Sequence, residues 1–255
     1  MVDARDDLYL EVCTLHNLLG NYQIALQLLS SRQFHPWEGG EGKVTAQYLY
    51  ALIALARIEI KNNNFENAIS HLEKTIKYPT NLGEGKLTGV QENDIHFWFA
   101  CAYTGLRKTE VANQYLVKAT IGLSIPSAAV FYNDQQPDKI FYQGLACLKL
   151  NKNKEAETRF NNLINYGTTH MNDDIKIDYF AVSLPDLLIW EDNLNTRNKI
   201  HCNYLIALGN LGLNKLAIAK KQFQQVLELD INHSGATTHL ELLTNNFYSQ
   251  NLKMH

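Results

Sequence analysis

No apolar run in this 255-residue chain is long enough to cross a bilayer: the longest, Tyr48 to Ala56, gives way to Arg57 and Glu59, whereas a spanning helix needs ~20 apolar residues. A membrane partner is not expected. Basic residues do not outnumber acidic ones, 23 Lys+Arg standing against 26 Asp+Glu for a net charge of -3. With no Lys/Arg cluster, the chain lacks the electrostatic footprint of a nucleic-acid binder. Cysteine is sparse and scattered, since Cys13, Cys101, Cys147 and Cys202 form no Cys-x-x-Cys pair. They read as four small core hydrophobes in a reducing compartment. The first residues, Met1 to Asp7, are polar and acidic where a secretory leader would be basic then apolar, so a cytoplasmic location is expected. Catalytic signatures are missing too. There is no His-Glu-x-x-His among the nine histidines and no Gly-x-Ser-x-Gly, so neither metal, cofactor nor catalysis is expected.

What remains is an ordinary globular composition, 45% apolar and 19% charged, organised by an internal repeat. Ala25, Ala68, Ala112, Ala156 and Ala219 each have a small residue twelve positions earlier, Cys13, Ala56, Ala100, Gly144 and Ala207. Four positions later each has a large apolar one, Leu29, Leu72, Leu116, Phe160 and Phe223. Five positions before each Ala stand Gly20, Asn63, Arg107, Asn151 and Asn214, four of which tolerate the left-handed conformation that ends a helix. Each unit therefore reads as helix, tight turn, helix, with small residues where the two helices cross. A single pair cannot bury both of its apolar faces, and stacking successive pairs can. All five prolines, Pro36, Pro79, Pro126, Pro137 and Pro185, fall in linkers or first helical turns, as an all-helical reading requires.

On these columns the chain resembles the tetratricopeptide repeat family, most closely in Phe99-Ala100-Cys101-Ala102-Tyr103 with Ala112, Leu116 and Ala119, and in Leu227 to His233. His16 and Glu59 depart from it, standing where the family favours Tyr. The resemblance implies an all-α, right-handed α-solenoid of stacked antiparallel helix pairs forming a single domain over residues 1–255. Its units fall at about 6–38, 49–81, 93–124, 137–166 and 200–232. The repeated Ala positions lie 43, 44, 44 and 63 residues apart against about 34 in the family, so the linkers are extended. An insertion at 165–199 is expected to carry a short helix opened by Ser183-Leu184-Pro185-Asp186 and running through Leu187, Leu188 and Trp190. A capping helix is expected at 234–250. Runs such as Phe34 to Lys43, Asn81 to Lys86, Gln91 to His96, Phe131 to Asp134 and Asp178 to Asp186 also resemble the C-terminal repeat tail of large bacterial proteins. The N-terminal part of those proteins is a β-rich domain of unknown function with a suspected carbohydrate connection.

Two motifs resemble binding loops. Gly-Glu-Gly-Lys recurs at Gly40 to Lys43 and Gly83 to Lys86, but Trp37 and Thr80 stand where a P-loop has its first Gly, and Val44 and Leu87 follow the Lys. The loops are expected to turn the chain, with Gly supplying positive φ. Asp230-x-Asn232-x-Ser234-Gly235-x5-Glu241 has EF-hand spacing. The repeat phase instead starts a helix near Gly235, capped by Ser234, and carries Glu241 away along it.

The resemblance places a ligand groove on the first helix of each pair. Carried over residue by residue, it takes in Tyr50, Ile53, Arg57 and Lys61, then Asp94, Phe97, Trp98 and Cys101. It continues with Asp138, Phe141, Tyr142 and Lys149, then His201, Tyr204 and Leu208. Such an aromatic, mildly acidic groove suits an extended peptide or a sugar, although each ring could equally serve as inter-helix core. The expected function is a non-catalytic scaffold that binds a protein or peptide segment, such as an adjacent β-rich domain. The competing expectation is a helical accessory module of a carbohydrate-active enzyme whose groove contacts a glycan.

Overall fold

A computed structural model of the chain describes residues 5–37, 39–129, 134–176, 193–245 and 247–248. Those residues form eleven α-helices and no strand. The expected helix at Ser183 to Trp190 lies outside the described residues. The helices pair as the repeat requires: α1 (Asp6–Leu18) with α2 (Tyr22–Ser31), α3 (Lys43–Lys61) with α4 (Phe65–Glu73), and α5 (Asn93–Gly105) with α6 (Thr109–Ala119). Then follow α7 (Pro137–Lys149) with α8 (Asn153–His170), α9 (Leu194–Gly212) with α10 (Leu216–Leu229), and α11 (Ser234–Thr244).

The chain forms two compact units, Met1–Tyr115 and Leu116–His255, with the division inside α6. In the first unit α1 packs on α2, α2 on α3, α3 on α4 and α4 on α5, and α3 also packs on α1 and on α5. In the second the same holds from α7 to α11, with α9 also against α7. Packing of neighbours in sequence order, with alternate helices also in contact, is that of a helical repeat.

Every hairpin turn is built alike. The residue five before the Ala column is left-handed in all five, Gly20 at φ 78°, Asn63 at 61°, and Arg107, Asn151 and Asn214 each at 59°. Around it run the two bonds of a Schellman ending. In the α3–α4 turn they are Asn64 N–H to Glu59 O at 2.9 Å and Asn63 N–H to Ile60 O at 3.1 Å, and the other four turns repeat them. The column Ala then donates its own N–H to the carbonyl of the residue after the left-handed one, at 3.0 to 3.1 Å throughout. A C-cap and the first bond of the next helix are thus welded together. Arg107 adopts this conformation at the ~1–2 kcal/mol cost a Cβ imposes there.

The crossing columns are sealed: all five Ala are 2% exposed or less, and Leu29, Leu72, Phe160 and Phe223 are fully buried. A further pair of positions, nine before and three after the Ala, also meets across the hairpins. Tyr103 stacks on Tyr115 with centroids 5.5 Å apart, and Asn210 Nδ2 donates to Gln222 Oε1 at 3.1 Å. Glu59 faces His71 at the same positions, pulling the imidazole pKa up while burial, the larger effect, pushes it down.

Helices α8 and α9 approach more closely still. A Cβ on Gly167 of α8 would lie 2.6 Å from the Cys202 carbonyl oxygen of α9, and one on Gly209 of α9 would lie 2.5 Å from the Phe160 carbonyl oxygen of α8. The two glycines sit two helical turns apart on opposite partners, so the antiparallel backbones touch reciprocally.

Two helices begin earlier than the repeat boundaries, α3 at Lys43 rather than 49 and α9 at Leu194 rather than 200. The reasons lie in their caps. Asn193 Oδ1 accepts the N–H groups of Asn195 and Thr196, each at 3.1 Å. At α3 the two Gly-Glu-Gly-Lys loops meet: Gly42, left-handed at φ 76°, donates its N–H to both oxygens of Glu84 at 3.0 Å. The anion at this helix N-terminus is the protein's own carboxylate, which burial raises in pKa against the pull of Gly42 and Thr45. Lys86 of the second loop reaches Glu92 at 2.5 Å.

Helix α11 starts at Ser234, as the repeat phase requires, and carries Glu241 about two turns along its length. Its N-cap is His233 and not Ser234, because the imidazole Nδ1 accepts the Ala236 N–H at 3.1 Å.

Candidate functional site

The expected groove residues all lie on first helices, but the rings of Phe97, Trp98, Phe141, Tyr142 and Tyr204 are enclosed. In the first unit Phe97 and Trp98 of α5 are 1% exposed and pack edge to face at 5.6 Å, and Asp94 is also buried. Tyr50, which meets Tyr22 edge-on at 6.1 Å, and Arg57 on α3 are half-buried. In the second unit Phe141, Tyr142 and Tyr204 are buried in an aromatic cluster. Phe141 lies 5.1 Å from His239 and 5.9 Å from Phe160, while Tyr204 stands 6.0 Å from Phe223. Asp138 is half-buried beside Lys139 at 3.8 Å. The aromatic strip is therefore corrected to core: these faces are already occupied by the protein's own side chains.

His201 has a different setting, because it lines a cavity of about 270 Å³ in the second unit. One wall comes from α9, where Leu194, Arg197, Asn198 and His201 follow the spacing of a single helix face. Ala128, Ala129, Ile175 and Ile200 add apolar surface, and Asp230 and His233 close the site from the turn between α10 and α11.

Each part is held by hydrogen bonds. Three side chains pin the carbonyls of the segment that leads to Ala128: Gln143 Nε2 to Leu123 O at 2.9 Å, Asn162 Nδ2 to Ser124 O at 3.2 Å, and His201 Nε2 to Ser127 O at 2.8 Å. Asn198 Nδ2 donates to His170 O at 2.6 Å, tying α9 to the end of α8. Ile175 is placed by its N–H, which donates to Asn195 Oδ1 at 2.9 Å. Asp230 Oδ1 accepts the Asn232 N–H at 3.0 Å, and the ring of His233 lies 4.5 Å from that of Tyr204. Ala129 stands at φ 47°, a strained conformation for a residue with a Cβ.

Burial pushes the pKa of both imidazoles down from the ordinary histidine value, favouring their neutral forms. For His201 the Ser127 carbonyl opposes that shift, while His233 and Arg197 add to it. Among the described residues no group of three His, Cys, Asp or Glu side chains could hold a metal ion. The site thus offers Arg197, Asp230, a side-chain amide and two neutral imidazoles within apolar walls.

A second, open cleft in the first unit is lined by Arg5, Asp6, Asp7, His35, Pro36 and Trp37. Its Asp6 carboxylate is taken up by Arg32 Nε at 2.6 Å and the His35 N–H at 2.8 Å.

Of the ten expected site residues, His201 alone lines the second unit's cavity. Arg197, Asn198, Asp230 and His233 were missed. The α9 spacing could have flagged the first two, whereas His233 stands thirty-two residues from His201 with no periodicity to connect them. No protein-family model matches the chain.

Proposed function

We propose that the chain is a non-catalytic binding scaffold of tetratricopeptide type, a right-handed α-solenoid that holds a peptide segment of a partner protein, such as an adjacent β-rich domain. The cavity on α9 carries this reading. Its volume of about 270 Å³ lies just below the ~300–1,000 Å³ of small-molecule pockets and suits one side chain of a bound peptide. Apolar walls supply burial, and a few fixed polar groups supply orientation. The glycan reading needs an aromatic face open to solvent, and Phe97, Trp98, Phe141, Tyr142 and Tyr204 do not offer one. Four free thiols accord with a reducing, cytoplasmic setting.

Panning a random peptide library against the folded chain tests the proposal. Enriched peptides are expected to share a motif and to shift the NMR signals of α9 and of residues 230–236 in 1H–15N spectra. A library that enriches nothing over a heat-unfolded control, or peptides that leave those signals unmoved, would refute it.

A further inference from the structure

The tautomers of the two cavity histidines are fixed by the backbone. Nε2 of His201 meets a carbonyl oxygen, that of Ser127, so this nitrogen carries the proton and Nδ1 is bare. Nδ1 of His233 accepts the Ala236 N–H, so it is bare and the proton sits on Nε2. Each ring therefore spends one nitrogen on the main chain and keeps the other. Both rings line the cavity. The result is one acceptor and one donor held on rigid supports in one cavity, whose lining also carries Arg197, Asn198 and Asp230.

We infer that this cavity is an amide-binding site, in which the bare Nδ1 of His201 accepts an amide N–H and the Nε2–H of His233 donates to the amide carbonyl oxygen. This deepens the scaffold reading and rests on it. Arg197 and Asp230 give the lining one charge of each sign, so it carries no net charge that would favour an anion or a cation. A neutral group carrying a donor and an acceptor side by side suits both imidazoles. In a peptide that group is either a main-chain amide or the carboxamide of Asn or Gln, and both chemistries are the same at the point of contact. Protonation of His201 would turn its Nδ1 from acceptor to donor, protonation of His233 would break the Nδ1 bond to the Ala236 N–H, and burial disfavours both.

Two substitutions separate binding from folding. His233→Asn keeps a cap acceptor for the Ala236 N–H, as Asn193 shows at α9, and removes the Nε2–H donor. His201→Gln keeps a donor for Ser127 O and removes the bare Nδ1. The probes are N-acetyl-glutamine methylamide, its isosteric glutamate counterpart, and N-acetyl-methionine methylamide, which has main-chain amides alone, all titrated at pH 7.5 by 1H–15N NMR. The glutamine probe is expected to saturate signals of α9 and of residues 230–236, and each variant is expected to weaken it roughly tenfold, the loss of one buried hydrogen bond. Equal binding of the methionine probe assigns the contact to the main chain, and glutamine preference assigns it to the side chain; either supports the inference.

The inference is overturned if the glutamate probe binds more tightly than both amides. Saturable zinc binding at the same signals with no response to amides also overturns it. So does unchanged amide affinity in both variants with their thermal transitions intact. Library peptides that bind both variants as well as the wild type would sink the amide site while leaving the scaffold reading standing.

Discussion

Gly209→Ala sets two physical effects of comparable size against each other. In a helix interior Ala is favoured over Gly by about 1 kcal/mol, so on propensity alone the substitution should stabilise α9. The new Cβ, however, would lie 2.5 Å from the Phe160 carbonyl oxygen and 2.5 Å from Ile164 Cγ1, where ordinary contact begins near 3.4 Å. Ile164 can change rotamer, but the carbonyl belongs to the α8 backbone and cannot. Relief requires the two helices to part by about 1 Å, which forfeits a quarter to a half of the dispersion energy across their contact. Overpacking of this kind, backbone shifts included, costs ~1–3 kcal/mol, so after the propensity gain the net destabilisation is up to about 2 kcal/mol. Urea unfolding followed by circular dichroism at 222 nm measures it. Gly85→Ala is the control, because a Cβ there meets nothing within 4 Å, and it should move the midpoint negligibly. A Gly209→Ala midpoint equal to or above that of the wild type would mean that propensity wins and that the α8–α9 backbone contact is not as described.

Stability should fall as pH drops below about 6.5, because the unfolded chain binds protons on His71, His201 and His233 that burial denies the folded one. Glu84, whose carboxyl is raised, acts with the opposite sign and from a starting value of 4.5. A melting temperature flat between pH 7.5 and 5.5 would contradict this account, and His233→Asn should shallow the slope. Cys13 and Cys202, with thiols pushed up to about 11 by burial, should resist a thiol-disulfide reagent at pH 8 in the native state while half-buried Cys101 reacts first. Labelling of Cys13 or Cys202 as fast as in the denatured chain would count against their burial.

The hairpins were legible because their signal is local and redundant. Cys13, Ala25 and Leu29 occupy one crossing, and the same size classes recur four more times at the same spacing. Even Arg107, the one turn residue with no left-handed preference, was placed by its neighbours' register rather than by its own chemistry. The site was less legible. Helices α5, α7 and α9 carry long buried runs, such as Ile140 through Cys147, and a helix covered on nearly all sides has no apolar stripe to tell core from groove. Phe141 and Trp98 therefore looked alike whether packed or presented. The cavity depends on His233 reaching it from the turn between α10 and α11, and on the carbonyls of Leu123, Ser124 and Ser127 each being pinned by a side chain, relations that only tertiary packing creates.

The ring of Phe160 takes part in two assemblies that differ in how far apart their members lie along the chain. A Cβ on Gly144, sixteen residues before it, would lie 2.3 Å from its Cε1, and one on Gly212, fifty-two residues after it, would lie 2.2 Å from its Cδ1. Closing the longer loop costs about 1 kcal/mol more in chain entropy, so the α7–α8 hairpin should condense before α9 docks on it. Phe160 then has a history: it first settles on Gly144 and meets Gly212 only as the native state completes. Substitutions at the two glycines would accordingly divide between the folding and unfolding rates, the earlier contact slowing assembly and the later one hastening release.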